Sequence, residues 1–149
     1  DRERTVRAIE IEVYTQQYSD QKEFSPIKSY RIFGIQMPRE ELRNRIKTRL
    51  KERLKAGMIE EVEQLLANGV SHQQLQYYGL EYKFISLYLQ NKLSYDEMFE
   101  ALLQAIRRFA KKQMTWYRRM EKQGFKIDWI DAKLPLEEKL KFIHSLCAE

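Results

Sequence analysis

Two short apolar runs, Tyr30 to Gln36 and Phe125 to Ile130, constrain this 149-residue chain more than any other feature, because residues 37–124 lie between them. Both read as strands. Too much chain separates them for a hairpin, so pairing needs a long crossover, which favours a parallel arrangement. A two-stranded parallel sheet is seldom complete by itself. The expected fold class is therefore mainly α, with two short parallel strands belonging to an incomplete α/β sheet. Its further strands are expected outside this chain.

Six helical stretches are predicted around the strands. The first runs from about Glu3 to Gln17, with Val6, Ile9 and Val13 on one face. It begins almost at the first residue, without a Met, which reads as a chain cut from something longer. A polar linker with Pro26 follows. Pro38 opens a second helix, Arg39 to Ala56, in which Leu42, Ile46, Leu50 and Leu54 recur every four residues and Arg45, Arg49 and Arg53 run in a parallel stripe. Gly57 suits its C-terminal cap. A third helix spans about Met58 to Asn68, and Val70 to Gly79 reads as a Gln- and Tyr-rich loop. A fourth helix covers Leu80 to Gln90. Ser94 and Glu97 form a capping box for a long fifth helix, Tyr95 to about Met120, whose core face is expected to be Met98, Leu102, Ile106 and Phe109. Pro135 starts the last helix, through Leu140, Ile143 and Leu146.

Charge is segregated. The net charge is +5, but residues 31–55 hold nine Arg/Lys against three Glu and residues 104–126 hold eight against one. Those balances, +6 and +7, leave −8 for the remainder, since 5 − 13 = −8. Two positive stripes on an otherwise acidic body suit an anionic partner. The densest stretch, RRFAKKQMTWYRR, Arg107 to Arg119, interleaves six cations with Trp116, Tyr117 and Thr115. A basic helix alone is usually a solvated face. Cations beside an aromatic edge instead suit a polyanion carrying flat bases. The arginine stripe divides in the same way. It is either a solvated flank held by pairs such as Arg49–Glu52, or a set of phosphate contacts for which the planar guanidinium is suited. Phe109 and Met114 read as core, whereas Gln113, Thr115 and Trp116 suit hydrogen bonding and stacking on nucleotides.

Other chemistry is not visible. His72, His144 and the single Cys147 have no partners at metal-ligand spacing, and nothing near Cys147 supplies a base. There is no GxxxxGK[ST] or other Gly-rich phosphate loop. One cysteine cannot form an internal disulfide and fits a reducing compartment. No apolar run approaches the roughly 18–20 residues of a membrane span. The expected location is cytoplasmic.

The segment AKKQMTWYRR, Ala110 to Arg119, resembles the AKRQ-x-TW-x-R signature of the tRNA dimethylallyltransferases (tRNA isopentenyltransferases). DRERTVRAIE resembles that family's D-x-x-R-x-x-RALE segment, and LRNRIKTRLKERLKAGMIEEV its L-x-x-RI-x-x-R-x-x-x-M-x-x-G-x-x-x-EV helix pair. YYGLEYK stands where the family has (I/V)GY(R/K), and LSYDEM matches I-S-Y-D-E-M. The resemblance implies transfer of a dimethylallyl group from its diphosphate to N6 of the adenosine 3′ of the anticodon. It also implies a P-loop-like core, a tRNA anticodon stem-loop and dimethylallyl diphosphate as partners, Mg²⁺ with ligands outside this chain, and a monomer at full length. Residues 1–149 then form a single C-terminal portion, lacking the phosphate loop and the general base and expected to be inactive alone.

Carried over residue by residue, the resemblance implies three tRNA-contacting stretches. The first is Glu3, Arg4, Thr5, Val6 and Arg7. The second is Tyr78, Gly79, Leu80, Glu81, Tyr82 and Lys83, where GLEYK is about two residues longer than the family pattern. The third is Lys111, Lys112, Gln113, Met114, Thr115, Trp116, Tyr117 and Arg118, with Lys112 in place of the commoner Arg. Arg45 and Arg49 are the implied diphosphate contacts. Two readings from other classes stay open on the sequence: a non-catalytic basic helical RNA-binding module, and a structural helical domain whose basic faces only solubilise it.

Overall fold

The computed structural model describes residues 2–18 and 29–147, and the chain divides into two compact units, Asp1–Tyr30 and Arg31–Glu149. The Pro26 linker falls outside the described residues, as do Asp1 and the side chain of Glu3. In the first unit, α1 spans Arg2–Tyr18, with Thr15 Oγ1 donating back to the Ile11 carbonyl at 2.8 Å.

The second unit contains β1 (Ile32–Gln36), α2 (Arg39–Lys55), α3 (Met58–Ala67), α4 (His72–Tyr78), α5 (Leu80–Leu89), α6 (Tyr95–Lys122), β2 (Ile127–Asp131) and α7 (Leu136–Cys147). Its core gathers Leu50 and Leu54 of α2, Met58 and Val62 of α3, Leu75 of α4, Ile85 of α5, and Met98, Leu102 and Leu103 of α6. Ile46, Leu65, Phe84, Phe99 and Ile106 pack around them. Each fully buried aliphatic side chain contributes roughly 1.5–3 kcal/mol, so five amphipathic helices lock onto one another through it.

Two expectations change here. Residues 70–79 are not a loop. Ser71 is the N-cap of α4, accepting from Gln74 N–H at 3.2 Å, while the Gln74 side chain accepts from Ser71 N–H at 2.8 Å. That reciprocal pair, with Leu75 fully buried, converts the stretch into a helix and raises the helix count of the described residues to seven. Phe109 is not core either, being 56% exposed. The stripe Met98, Leu102, Ala105 continues at helical spacing to Phe109, but α6 has by then run past its helical neighbours.

The strands pair in parallel, in the register Ile32↔Ile127, Gly34↔Trp129, Gln36↔Asp131. They are a little shorter than the apolar runs suggest, and Ile127 and Ile130 are buried. Gly34 has a specific cause. A Cβ at that position would stand 2.6 Å from Cε3 and Cζ3 of Trp129 and 3.0 Å from Cγ2 of Ile127, so the indole can lie against β1 only over a glycine. Beyond the strands, Lys133 reaches Glu41 of α2 at 2.6 Å, and Lys139 Nζ donates to the Ala132 carbonyl at 2.7 Å. The carboxylate of Glu41 holds the Lys133 ammonium above its ordinary pKa.

Gly34→Ala should destabilise the full-length protein by about 1–3 kcal/mol through overpacking against Trp129. Urea unfolding checks this, and an unchanged midpoint would show that the ring seat is not tight.

Candidate nucleic-acid interface

α6 carries the densest cationic stretch and owes its start to a capping box. Glu97 N–H donates to Ser94 Oγ at 3.3 Å, and the Glu97 carboxylate accepts from Ser94 N–H at 2.8 Å and from its hydroxyl at 2.9 Å. The Ser94 backbone N–H, then its hydroxyl, hold Glu97 below the usual carboxylate range. Its charge at the helix N-terminus also complements the macrodipole. The next turns bury Met98, Leu102, Leu103 and Ala105. The second half of α6 therefore projects from a fixed base.

Along that second half Lys111, Lys112, Gln113, Thr115, Trp116 and Arg118 are exposed, and Met114 and Tyr117 are half-buried. Trp116 is 61% exposed and continues the stripe of Phe109 and Gln113 at helical spacing. An indole and a phenyl ring held in water beside cations form a stacking surface within an electrostatic face. The eight predicted residues Lys111 to Arg118 do not all face water alike. Thr115 Oγ1 donates to the Lys111 carbonyl at 3.1 Å, and Tyr117 turns towards the sheet, its ring 5.7 Å from Trp129 in an edge contact.

The second predicted stretch lies where α4 meets α5. Leu80–Lys83 forms the first turn of α5, within the helix expected from Leu80, and Gly79, with φ +143°, makes the bend that L side chains rarely adopt. The connection 90–94 folds α5 back along α6, with Tyr88 and Tyr95 in edge contact at 6.0 Å. Around the bend Tyr77 and Tyr78 are exposed, 78% and 53%, and Lys83 is exposed too. Tyr82 is committed elsewhere. Its hydroxyl donates to Glu61 Oε1 of α3 at 2.6 Å, and its ring takes the edge of Tyr78 at 5.9 Å. The bond to Glu61, with burial adding to it, holds Tyr82 above its ordinary pKa.

Arg45 and Arg49 are exposed on α2. Among the described residues neither pairs with a carboxylate, so the expected Arg49–Glu52 pair is not formed; the ion pair between two residues of this helix is Arg43–Glu40, at 3.3 Å. In α1, Arg7 pairs with Glu10 at 3.0 Å. Arg4, Thr5 and Val6 share its first turns. Among the described residues no group of three or more His, Cys, Asp or Glu could hold a metal ion. The Mg²⁺ implied by the resemblance thus finds no ligand set here, and no step below runs through it. No helix among those residues is long and apolar enough to cross a membrane.

Comparison with known proteins gives a consistent result. The family model described as IPP transferase matches residues 1–120. A tRNA dimethylallyltransferase 2 of Bacteroides fragilis is 51% identical over 141 residues, covering 94% of this chain and 46% of that protein. A tRNA dimethylallyltransferase 1 of Parabacteroides distasonis is 52% identical over 139 residues, 93% of this chain and 45% of that protein. The crystal structure of the tRNA isopentenylpyrophosphate transferase of Bacillus halodurans superposes with a TM-score of 0.69 at 28% identity, over 98% of this chain and 44% of that one. The chain thus spans about half the length of the curated relatives it matches.

Removing the Tyr82 partner should be visible in titration. A raised tyrosine pKa means that the stability given by the Tyr82–Glu61 bond is complete below the unfolded-state pKa and is lost as pH rises through the higher folded value. Glu61→Ala should return Tyr82 towards the ordinary range, followed by ultraviolet difference absorbance. An unshifted phenol titration would show that the bond does not form in solution.

Proposed function

The chain belongs to the IPP transferase family, and from that premise we propose that it supplies the RNA-gripping part of an enzyme that prenylates tRNA. The reaction proposed for the whole protein moves a dimethylallyl group from its diphosphate to N6 of the adenosine 3′ of the anticodon. One observation carries this reading: the exposed cationic and aromatic half of α6 stands on a helix whose other half is buried in the core.

The chemistry gives each exposed group a task. The target amine lies in an anticodon loop, so the base must leave its stack to meet the lipid diphosphate. Lys111, Lys112 and Arg118 supply charge for the phosphates flanking the flipped nucleotide. Trp116 and Gln113 supply a stacking face and an amide for its neighbours. Tyr77 and Tyr78 offer further exposed aromatic surface at the bend between α4 and α5. When N6 attacks the allylic carbon, the carbon–oxygen bond to the diphosphate breaks and negative charge grows on the leaving oxygens. Arg45 and Arg49 take the role of stabilising that charge, and it supports this reading that no carboxylate among the described residues neutralises either of them. The proton released from N6 goes to a base outside residues 1–149, and Mg²⁺, if the full protein uses it, is also held there. The proposed location is cytoplasmic and the proposed state of the full protein a monomer.

In the full-length enzyme, Lys111→Ala and Arg118→Ala should each weaken binding of an anticodon stem-loop and lower the slope of log K against log salt by about one. An unchanged slope for both would sink the assignment of phosphate contacts. Arg45→Ala and Arg49→Ala should lower kcat for prenyl transfer by about ten- to a hundredfold while leaving stem-loop affinity near wild type. Loss of affinity with kcat intact would move these arginines from the diphosphate to the RNA.

A further inference from the structure

Trp129 lies outside every candidate RNA- or diphosphate-contacting stretch, yet it joins the sheet to the distal half of α6 through three contacts. Its ring lies over Gly34, its partner across the parallel pair, at a separation that admits no Cβ. Its edge meets the Tyr117 ring at 5.7 Å with the planes 83° apart. Its Nε1–H donates to Glu121 Oε1 at 2.8 Å. Glu121 is the single acid among the cations of residues 104–126.

Tyr117 and Glu121 stand four residues apart and so share one side of α6. Holding both against one ring fixes the rotation of the helix about its axis. Successive residues turn by about 100°, so Trp116 is directed away from the sheet once Tyr117 faces it. The turn after α6 reinforces the setting, with Gly124 N–H donating to the Glu121 carbonyl at 3.0 Å and Phe125 N–H to Met120 at 3.1 Å. The helical core grips α6 only as far as Ile106. Beyond it, Trp129 is a large side chain of the sheet that the helix meets.

We infer that Trp129 is a positioning residue for RNA recognition: clamped between Gly34, Tyr117 and Glu121, it sets the direction in which Trp116 and its neighbouring cations present themselves. This rests on the proposed RNA-binding role of α6. It also reassigns Tyr117 and Glu121. Tyr117 acts as an anchor to the sheet, and the carboxylate of Glu121, unfavourable beside a polyanion, is the acceptor that orients the indole.

The test is a double-mutant cycle in the full-length enzyme, read as stem-loop affinity. Trp129→Phe keeps a ring over Gly34 and removes the N–H, and should weaken binding about fivefold, the effect of one hydrogen bond. In a Trp116→Ala background the same change should cost almost nothing, because the residue being aimed is gone. Glu121→Gln keeps an acceptor and should bind at least as tightly as wild type, whereas Glu121→Ala should lose affinity as Trp129→Phe does. Additive losses from Trp129→Phe and Trp116→Ala, or equal binding by Glu121→Gln and Glu121→Ala, would overturn the inference. A lowered unfolding midpoint with unchanged affinity would overturn it too, showing a purely structural ring. Should Lys111→Ala and Arg118→Ala both leave the salt slope untouched, the RNA-binding reading itself fails. A normal Lys111→Ala response with an additive cycle sinks only the positioning role.

Discussion

Burial of one end of α6 is the constraint on which the rest of the second unit depends. The helix has 28 residues, about 42 Å at 1.5 Å per residue, longer than the core that its neighbours build. Met98, Leu102 and Leu103 take the proximal half out of water among Leu50, Leu54, Val62, Leu75 and Ile85. Helices of this kind are held more by packing an apolar face than by intrinsic propensity. With one half fixed, the other can carry a density of like charge that would destabilise a free-standing helix. Core and interface are thus two ends of a single element.

That division explains the charge distribution. Lys111, Lys112 and Arg118 are exposed where the helix leaves its neighbours, so their heads remain hydrated until a polyanion replaces the water, whereas Nε of Arg107, nearer the core, is buried. The arginines of α2 obey the same rule. Leu50 and Leu54 are buried while Arg45, Arg49 and Arg53 stay exposed, so one helix anchors to the core and displays charge without placing an ion in low dielectric.

Much of this was legible in the chain itself. The spacing of Leu42 to Leu54 located α2, the Ser94–Glu97 pair located the start of α6, and the separation of the two apolar runs implied a parallel pair. What escaped depends on contacts distant in sequence. Periodicity puts Phe109 on the core face of α6, but it cannot say whether anything packs there. The Ser71–Gln74 capping box was written in the sequence and was masked by the Gln- and Tyr-rich composition around it. The commitment of Tyr82 to Glu61 and the seating of Trp129 over Gly34 needed the register of helices and strands that local patterns do not contain.

The parallel pairing of β1 with β2 also has a kinetic consequence. Contacts among α3, α4, α5 and α6 join residues near one another in the chain, and such contacts form early. Pairing of β1 with β2 closes the longest loop in the unit, at the largest entropic cost, so it is expected to follow compaction of the helices between them. The helix that presents the cations is therefore rooted first and aimed last. Its proximal half gains its partners with the helical core, and its distal half acquires a fixed direction when the slowest contact of the fold brings Trp129 to Gly34.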